Sequence, residues 1–327
     1  MRRIDFQNCG DGIYESDSTA FTGVEGQKYT LHIHTSDGRD FISDECTMLR
    51  GTGIDSVYYE KGEEILGSMN YSYTGLKIKL NTAHAGDTTG YFRWTYDENW
   101  KFNVPYPPSY TFKQVNDTLF YFDALPTQNT TCSKNSKSSQ ILISSANING
   151  DNTVTGQEIK FIAPVLSDRL TLMYTIEIKQ YSISEKEYTF WKQLKEVGEP
   201  TSDIFGSQPY PIKSNIHNAN NPDEKALGYF EVSAVSKKKI VITPGDAQLL
   251  DLPYYKTDCE YIRRCPDDWP PPPDRPTWAG IYDAFVNISH FIFVTPEVSD
   301  GVVLPGYVNI KDLKKLVFTS PVCAYCK

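Results

Sequence analysis

The sequence predicts a mainly β chain. An Ig-like sandwich remnant is expected over residues 1–48, then a larger antiparallel β-sandwich or barrel-like domain over 49–327 with one short amphipathic helix at about 184–197. Three observations predict it. Short strand-like segments recur along the chain with Gly, Asn, Asp and Pro between them, a spacing that suits a sandwich or barrel better than a parallel sheet. A clear helical period appears in one stretch only. Bulk comes from aromatic residues, 22 Tyr and 16 Phe, and tyrosine suits half-exposed sheets because it buries its ring and keeps its hydroxyl wet.

Near the start, Tyr29, Leu31 and Ile33 alternate with Thr30, His32 and His34, and Ser36-Asp37-Gly38 supplies a turn, so a hairpin is expected. The run Cys46 to Asp55 (CTMLRGTGID) breaks that pattern and marks the boundary. Further strands are expected at Ile54–Tyr59, Leu76–Leu80, Gly90–Tyr96, Thr118–Phe122, Gln140–Ala146, Gln157–Ile162, Leu170–Gln180, Leu227–Val235, Lys239–Thr243 and Phe285–Val294. Asn149-Gly150 reads as the turn of a hairpin between Gln140–Ala146 and Gln157–Ile162. Lys237-Lys238-Lys239 reads as protection of a sheet edge.

The helix begins at Ser184, whose S-x-x-E pattern with Glu187 is that of a capping box. Phe190, Leu194 and Val197 follow at helical spacing, Tyr188 and Trp191 widen the stripe, and Gly198 and Pro200 end it. An amphipathic helix inside a strand-rich chain is expected to pack on its own sheet. Asn215, His217, Asn218, Asn220, Asn221, Pro222 and Asp223 then form a turn-rich connection, because Asn and Asp bond nearby backbone and tolerate left-handed conformations.

At 327 residues the chain is long enough for two domains or one large β domain. Its net charge of −9 makes a nucleic-acid backbone a poor partner. No apolar run reaches the ~18–20 residues that a membrane-crossing helix needs. Seven cysteines are spread along the chain, and an odd count leaves one without an internal partner. Cys259 with Cys265, Cys323 with Cys326, and Cys9 with Cys46 are the candidate pairs, with Cys132 an alternative partner for the C-terminal two.

The strongest site-like feature is CPDDWPPPPDRPTW, residues 265–278. Four consecutive prolines around Pro271 favour a stiff polyproline II segment, flanked by Trp269 and Trp278 and preceded by Tyr254 and Tyr255. Trp is enriched at binding hot spots, so these residues are the candidate partner or ligand contacts; the competing reading packs the Trp rings on the domain body. His217 and Asp223 are weak candidates for an ion. His32-x-His34 has zinc-like spacing without an evident third ligand. Residues 147–158 faintly resemble a calcium loop but have Asn152 where the central Gly belongs. G-x-S-x-G, P-loop and HExxH patterns do not occur, so no catalytic residue and no cofactor is expected.

Three segments carry a family resemblance: YSISEKEYTFWKQLKE with QPYPIKSNIHNANNPDEKALGYFEVSAVSKKKIVI (residues 181–196 and 208–242), GQKYTLHIHTSDGRDFIS (26–43), and IDSVYYE (54–60). They resemble the domain-of-unknown-function family 4249, and Cys323-x-x-Cys326 is similar to that family's C-terminal cysteine pair. The resemblance implies an outer-membrane lipoprotein of Bacteroidota on the cell surface, beside a TonB-dependent, SusC-like β-barrel transporter, with a peptide or glycan ligand. It implies membrane contact only through a lipid anchor. Met1-Arg2-Arg3 opens no apolar leader and Cys9 lies in no lipobox, so the chain is expected to lack both ends of the family pattern. Cell-surface adhesion through a glycan- or protein-binding module is the alternative expectation, and an unrecognised hydrolase the third, which two close acidic side chains in a cleft would favour.

Overall fold

A computed structural model describes residues 3–17, 21–67, 70–83, 90–126, 130–146, 152–198, 212, 214–221, 223–224, 226–268, 277–289, 291–300, 302, 304–310, 312–320 and 324. Its paired strands are antiparallel. A five-stranded sheet runs Thr131–Lys137, Tyr91–Asn103, Met173–Ile183, Ala234–Ile242, with Leu142–Ser145 on the remaining half of Tyr91–Asn103. A three-stranded sheet runs Gln157–Ile162, Tyr71–Thr82, Ile54–Leu66. Alternate residues of each strand point the same way. Phe92, Trp94, Tyr96 and Trp100 therefore join Tyr174, Ile176 and Ile178 from one sheet and Leu76, Ile78 and Leu80 from the other in a single buried core. This is the sandwich the strand pattern predicts. Among the described residues no sheet closes into a barrel.

A second cluster forms from residues far apart in sequence. Tyr110–Asn116 and Leu119–Ala124 make a hairpin whose second strand pairs with Gly306–Asn309. Ile262–Arg264, Leu313–Thr319 and Ile292–Val298 make the other sheet. Phe120, Phe122, Phe293, Leu316 and Phe318 fill the space between, with Trp278 and Ile281 from the short helix Trp278–Tyr282.

The N-terminal hairpin pairs His32–His34 with Asp40–Ser43, and Gly38 takes φ +82° at its turn, a conformation that glycine adopts without strain. The same hairpin carries a third strand, Ile216–Asn218, from the Asn-rich connection. Lys237–Lys239 do lie on an edge strand of the five-stranded sheet.

Four local expectations are corrected. Leu142–Ser145 and Gln157–Ile162 belong to different sheets, so the chain crosses between layers there instead of making a hairpin; Ile159 and Ile162 are buried and Leu142 is half-buried against the same core. The strand expected from Leu227 starts only at Ala234, because Asn215 holds the backbone of Phe230 by its side chain, Nδ2 donating to the carbonyl (2.9 Å) and Oδ1 accepting the N–H (2.8 Å). Asp283–Ile288 continues the preceding helix as a π-helical turn, and the strand begins at Ile292. Cys9, Cys46 and Cys265 are free thiols, so neither Cys9–Cys46 nor Cys259–Cys265 forms.

Candidate functional site

The helix Glu185–Gly198 sits where expected and brings a carboxyl group inward. Ser184 Oγ accepts the N–H of Glu187 at 3.2 Å, which is one half of the capping box. The Glu187 side chain does not complete the other half. It lies on the apolar stripe with Phe190 and Trp191, is 3 % exposed, and meets Glu231. One indole N–H, that of Trp191, lies 3.3 Å from both Glu187 Oε1 and Glu231 Oε2. Arg93 Nη2 donates to Glu231 Oε1 at 2.5 Å, and its guanidinium stacks over Tyr181 (4.4 Å) and Trp191 (4.7 Å).

Two carboxyls in contact cannot both ionise cheaply out of water. Burial, and then the hydrogen bond and charge of Glu231, push Glu187 far above the usual carboxylate range, against the opposing pull of Arg93. Glu187 is thus driven toward its protonated form beside the ion pair of Arg93 with Glu231. Around it, Tyr229 packs on Phe190 at 4.9 Å, and burial and the nearby Cys46 raise its hydroxyl to about 12. Cys46 lies 3.3 Å from the Phe230 carbonyl, and burial, with the nearby Asp44 charge, raises its thiol, the opposite of an activated nucleophile.

This cluster has two close acidic side chains, yet its geometry does not suit glycoside hydrolysis. Catalytic carboxyl pairs stand roughly 5–10 Å apart across the scissile bond. Here the two share one indole donor, and Glu187 is buried under its own helix. The arrangement can store a proton and fix the helix, the Phe230 segment and Arg93 against one another.

A second polar cluster interrupts the core. In the inward row Phe92, Trp94, Tyr96, Glu98, Trp100, the carboxylate Glu98 is 1 % exposed. Arg169 Nε donates to Glu98 Oε1 at 3.0 Å, the Tyr174 hydroxyl donates to the same oxygen at 2.8 Å, and Lys160 Nζ stands 3.8 Å from Oε2. Arg169 stacks on the Trp100 ring at 4.2 Å, and the Trp100 indole N–H donates to Asp168 at 2.8 Å. Lys160, Ser167 and Arg169 also line a cavity of about 120 Å³ with Leu66, Phe161, Ile162, Ala163 and Leu166.

The residues singled out in the sequence are not gathered together. Trp269, Pro271, Cys323, Cys326 and Asn149-Gly150 lie outside the described residues. Trp278 is 7 % exposed inside the second core, so its ring serves packing and cannot be a surface contact. Tyr254 is 80 % and Tyr255 38 % exposed, on the segment that joins the two clusters. Cys132 and Cys259 are disulfide-bonded. His217 Nδ1 stands 3.9 Å from Asp44, and Asn218 Nδ2 donates to Glu224 at 2.8 Å. Asp223 joins no cluster, and among the described residues no three His, Cys, Asp or Glu side chains gather as a metal site. His34 Nδ1 pairs with Asp40 at 2.7 Å, and Glu158 is held by Lys77 at 2.9 Å within a strand, where it cannot close a calcium loop.

The sequence pattern assigns Glu187 to a capping box and does not single out Glu98, although each breaks an apolar pattern. Glu187 shares the helical stripe with Phe190, Trp191 and Leu194, and Glu98 stands in an alternating row of aromatics.

The fold and the two buried networks define a mainly β protein with a sandwich core and a second smaller core. It belongs to the family described as Domain of unknown function (DUF4249), which matches residues 2–239. The match takes in the helix, both buried networks and the hairpin Tyr110–Ala124, and ends within the strand Ala234–Ile242. No curated protein and no solved structure matches the chain.

Proposed function

We propose that this chain is a non-catalytic, surface-exposed outer-membrane lipoprotein module, a ligand-capture or lid subunit of a TonB-dependent transporter or another envelope assembly. The observation that carries the reading is membership of the family over residues 2–239, whose resemblance implies that location and that neighbour. Two features of the molecule support it. Both buried carboxylate networks are occupied by internal partners, which suits scaffold residues more than reacting groups. The exposed Tyr254 and Tyr255 offer aromatic surface on the segment that leads to the proline-rich loop. The test is affinity purification from the native membrane. An outer-membrane β-barrel should co-purify with the lipidated protein, and a preparation in which none does rejects the transporter role.

One observation favours a second reading, a glycan-binding surface module without transport. Tyr121 and Tyr307 stand side by side on neighbouring strands with ring centroids 4.8 Å apart, and Tyr307 is 64 % exposed. Exposed aromatic faces of this kind stack on sugar rings. Glycan-array binding that Tyr307→Ala abolishes would support this reading, and an array without signal would remove it.

A further inference from the structure

The cavity beside Glu98 contains an ammonium whose donors are free among the described residues: Lys160 lies 5.5 Å over the Tyr96 ring and near Glu98 without a hydrogen bond. Lys160 has a side chain 25 % exposed, its ammonium lies 3.8 Å from the nearest Glu98 oxygen, and it donates no hydrogen bond among the described residues. Arg169 is only partly used. Of its five N–H groups, one meets Glu98 Oε1, one meets Glu98 Oε2 at 3.4 Å, and one meets Ser167 Oγ at 3.0 Å, which leaves two. Ser167 Oγ accepts in that bond, so its own hydrogen remains to be donated. The local charge does not balance. Asp168 is matched by Lys134 at 3.0 Å, but Lys160 and Arg169 face the single carboxylate Glu98. One positive charge is left over at this spot, in a chain whose net charge is −9. The other walls, Leu66, Phe161, Ile162, Ala163 and Leu166, are apolar. At about 120 Å³ the cavity is somewhat smaller than the ~150 Å³ apolar cavity that admits a benzene ring.

We infer that this cavity binds a small organic carboxylate with an apolar body, its oxygens on Lys160, Arg169 and Ser167 and its alkyl or aryl part against Phe161 and Leu166. A dianion such as phosphate fits poorly, because the apolar walls offer it no donors. A neutral molecule of the same shape leaves the excess positive charge of Lys160 and Arg169 over Glu98 unmatched. The inference rests on the cavity alone and does not depend on a transporter partner.

Calorimetric titration of the full chain tests it, with benzoate and hexanoate as probes and benzamide, hexanol and inorganic phosphate as comparators. Both carboxylates should saturate in the millimolar range or below, and each neutral analogue should bind at least about ten-fold more weakly. The indole N–H resonance of Trp100, which lies under Arg169, should move on addition of carboxylate. Lys160→Met keeps most of the apolar stem and should weaken binding about ten-fold or more. Leu166→Glu, at a position 57 % exposed, should do the same by repulsion while leaving every partner of Glu98 in place, and so decides the matter if Lys160→Met does not fold. Equal binding of neutral analogues or phosphate, unchanged affinity in Leu166→Glu, or no saturation by either carboxylate overturns the site.

Discussion

A carboxylate inside a β-sandwich is tolerated only while every partner is in place, and Glu98 shows how tight that condition is. It is 1 % exposed and held by Arg169 and Tyr174. A buried carboxylate left with no cation costs about 3–5 kcal/mol. Arg169→Ala still leaves Lys160 3.8 Å from Glu98 and the Tyr174 hydroxyl bonded to it. The single variant should therefore lower stability by about 1–3 kcal/mol in urea titration and Arg169→Ala with Lys160→Met by the full amount, whereas Glu98→Gln in the doubly substituted background should recover part of it. A loss under ~1 kcal/mol for the doubly substituted chain would show that solvent reaches Glu98. Glu187 makes a prediction of its own. Its folded pKa lies above the unfolded value of 4.5, so the folded chain keeps a proton that the unfolded chain releases. Stability from this group is fully present below that unfolded value and is lost as pH rises toward the raised one. The melting temperature should fall by several degrees between pH 6 and pH 9, and Glu187→Gln, which cannot ionise, should flatten that slope. An equal slope in the variant would place the titration elsewhere.

Strands and the helix were legible in the sequence to different degrees, for physical reasons. The strand-like segments Gly90–Tyr96 and Leu170–Gln180 lie on Tyr91–Asn103 and Met173–Ile183, the first reaching only about half of its strand, and the helix is legible through its cap and stripe. Pairing was less legible. Asn149-Gly150 has the chemistry of a tight turn, yet its flanking strands lie in different sheets, since turn preference is local and layer assignment depends on which faces are buried. The Glu187–Glu231 pair was invisible because Glu231 falls in a segment expected to be strand, and the side chain of Asn215 overrides that preference. At one point the packing of an element rests on a missing side chain. A Cβ at Gly75 would stand 2.3 Å from the Ile162 carbonyl and 2.6 Å from the Phe161 ring. Gly75→Ala must push Gln157–Ile162 off its neighbour, and a cost of about 1–3 kcal/mol or more is expected. Faster amide exchange confined to that strand and Tyr71–Thr82 is the signature, and unchanged exchange would mean that the backbone gives way easily.

At the scale of the whole molecule, two separate hydrophobic clusters share one chain. Phe318 is fully buried in the second, stacked on Phe285 at 4.8 Å. Phe318→Ala should cost about 3–5 kcal/mol locally. Hydrogen exchange should then lose protection along Leu119–Ala124 and Gly306–Asn309 while Tyr91–Asn103 and Met173–Ile183 stay protected; loss in all four would mean that the clusters unfold as one. The ladder of Leu119–Ala124 with Gly306–Asn309 also sets a schedule for biosynthesis. More than half the chain lies between its two strands, so at ~5–20 residues per second the ribosome needs on the order of ten seconds or longer to supply the second after the first. Phe112, Phe120 and Phe122 spend that interval without their final neighbours. A nascent chain that carries such a sticky hairpin is open to aggregation until its last strands arrive, and slower synthesis should lengthen that exposure.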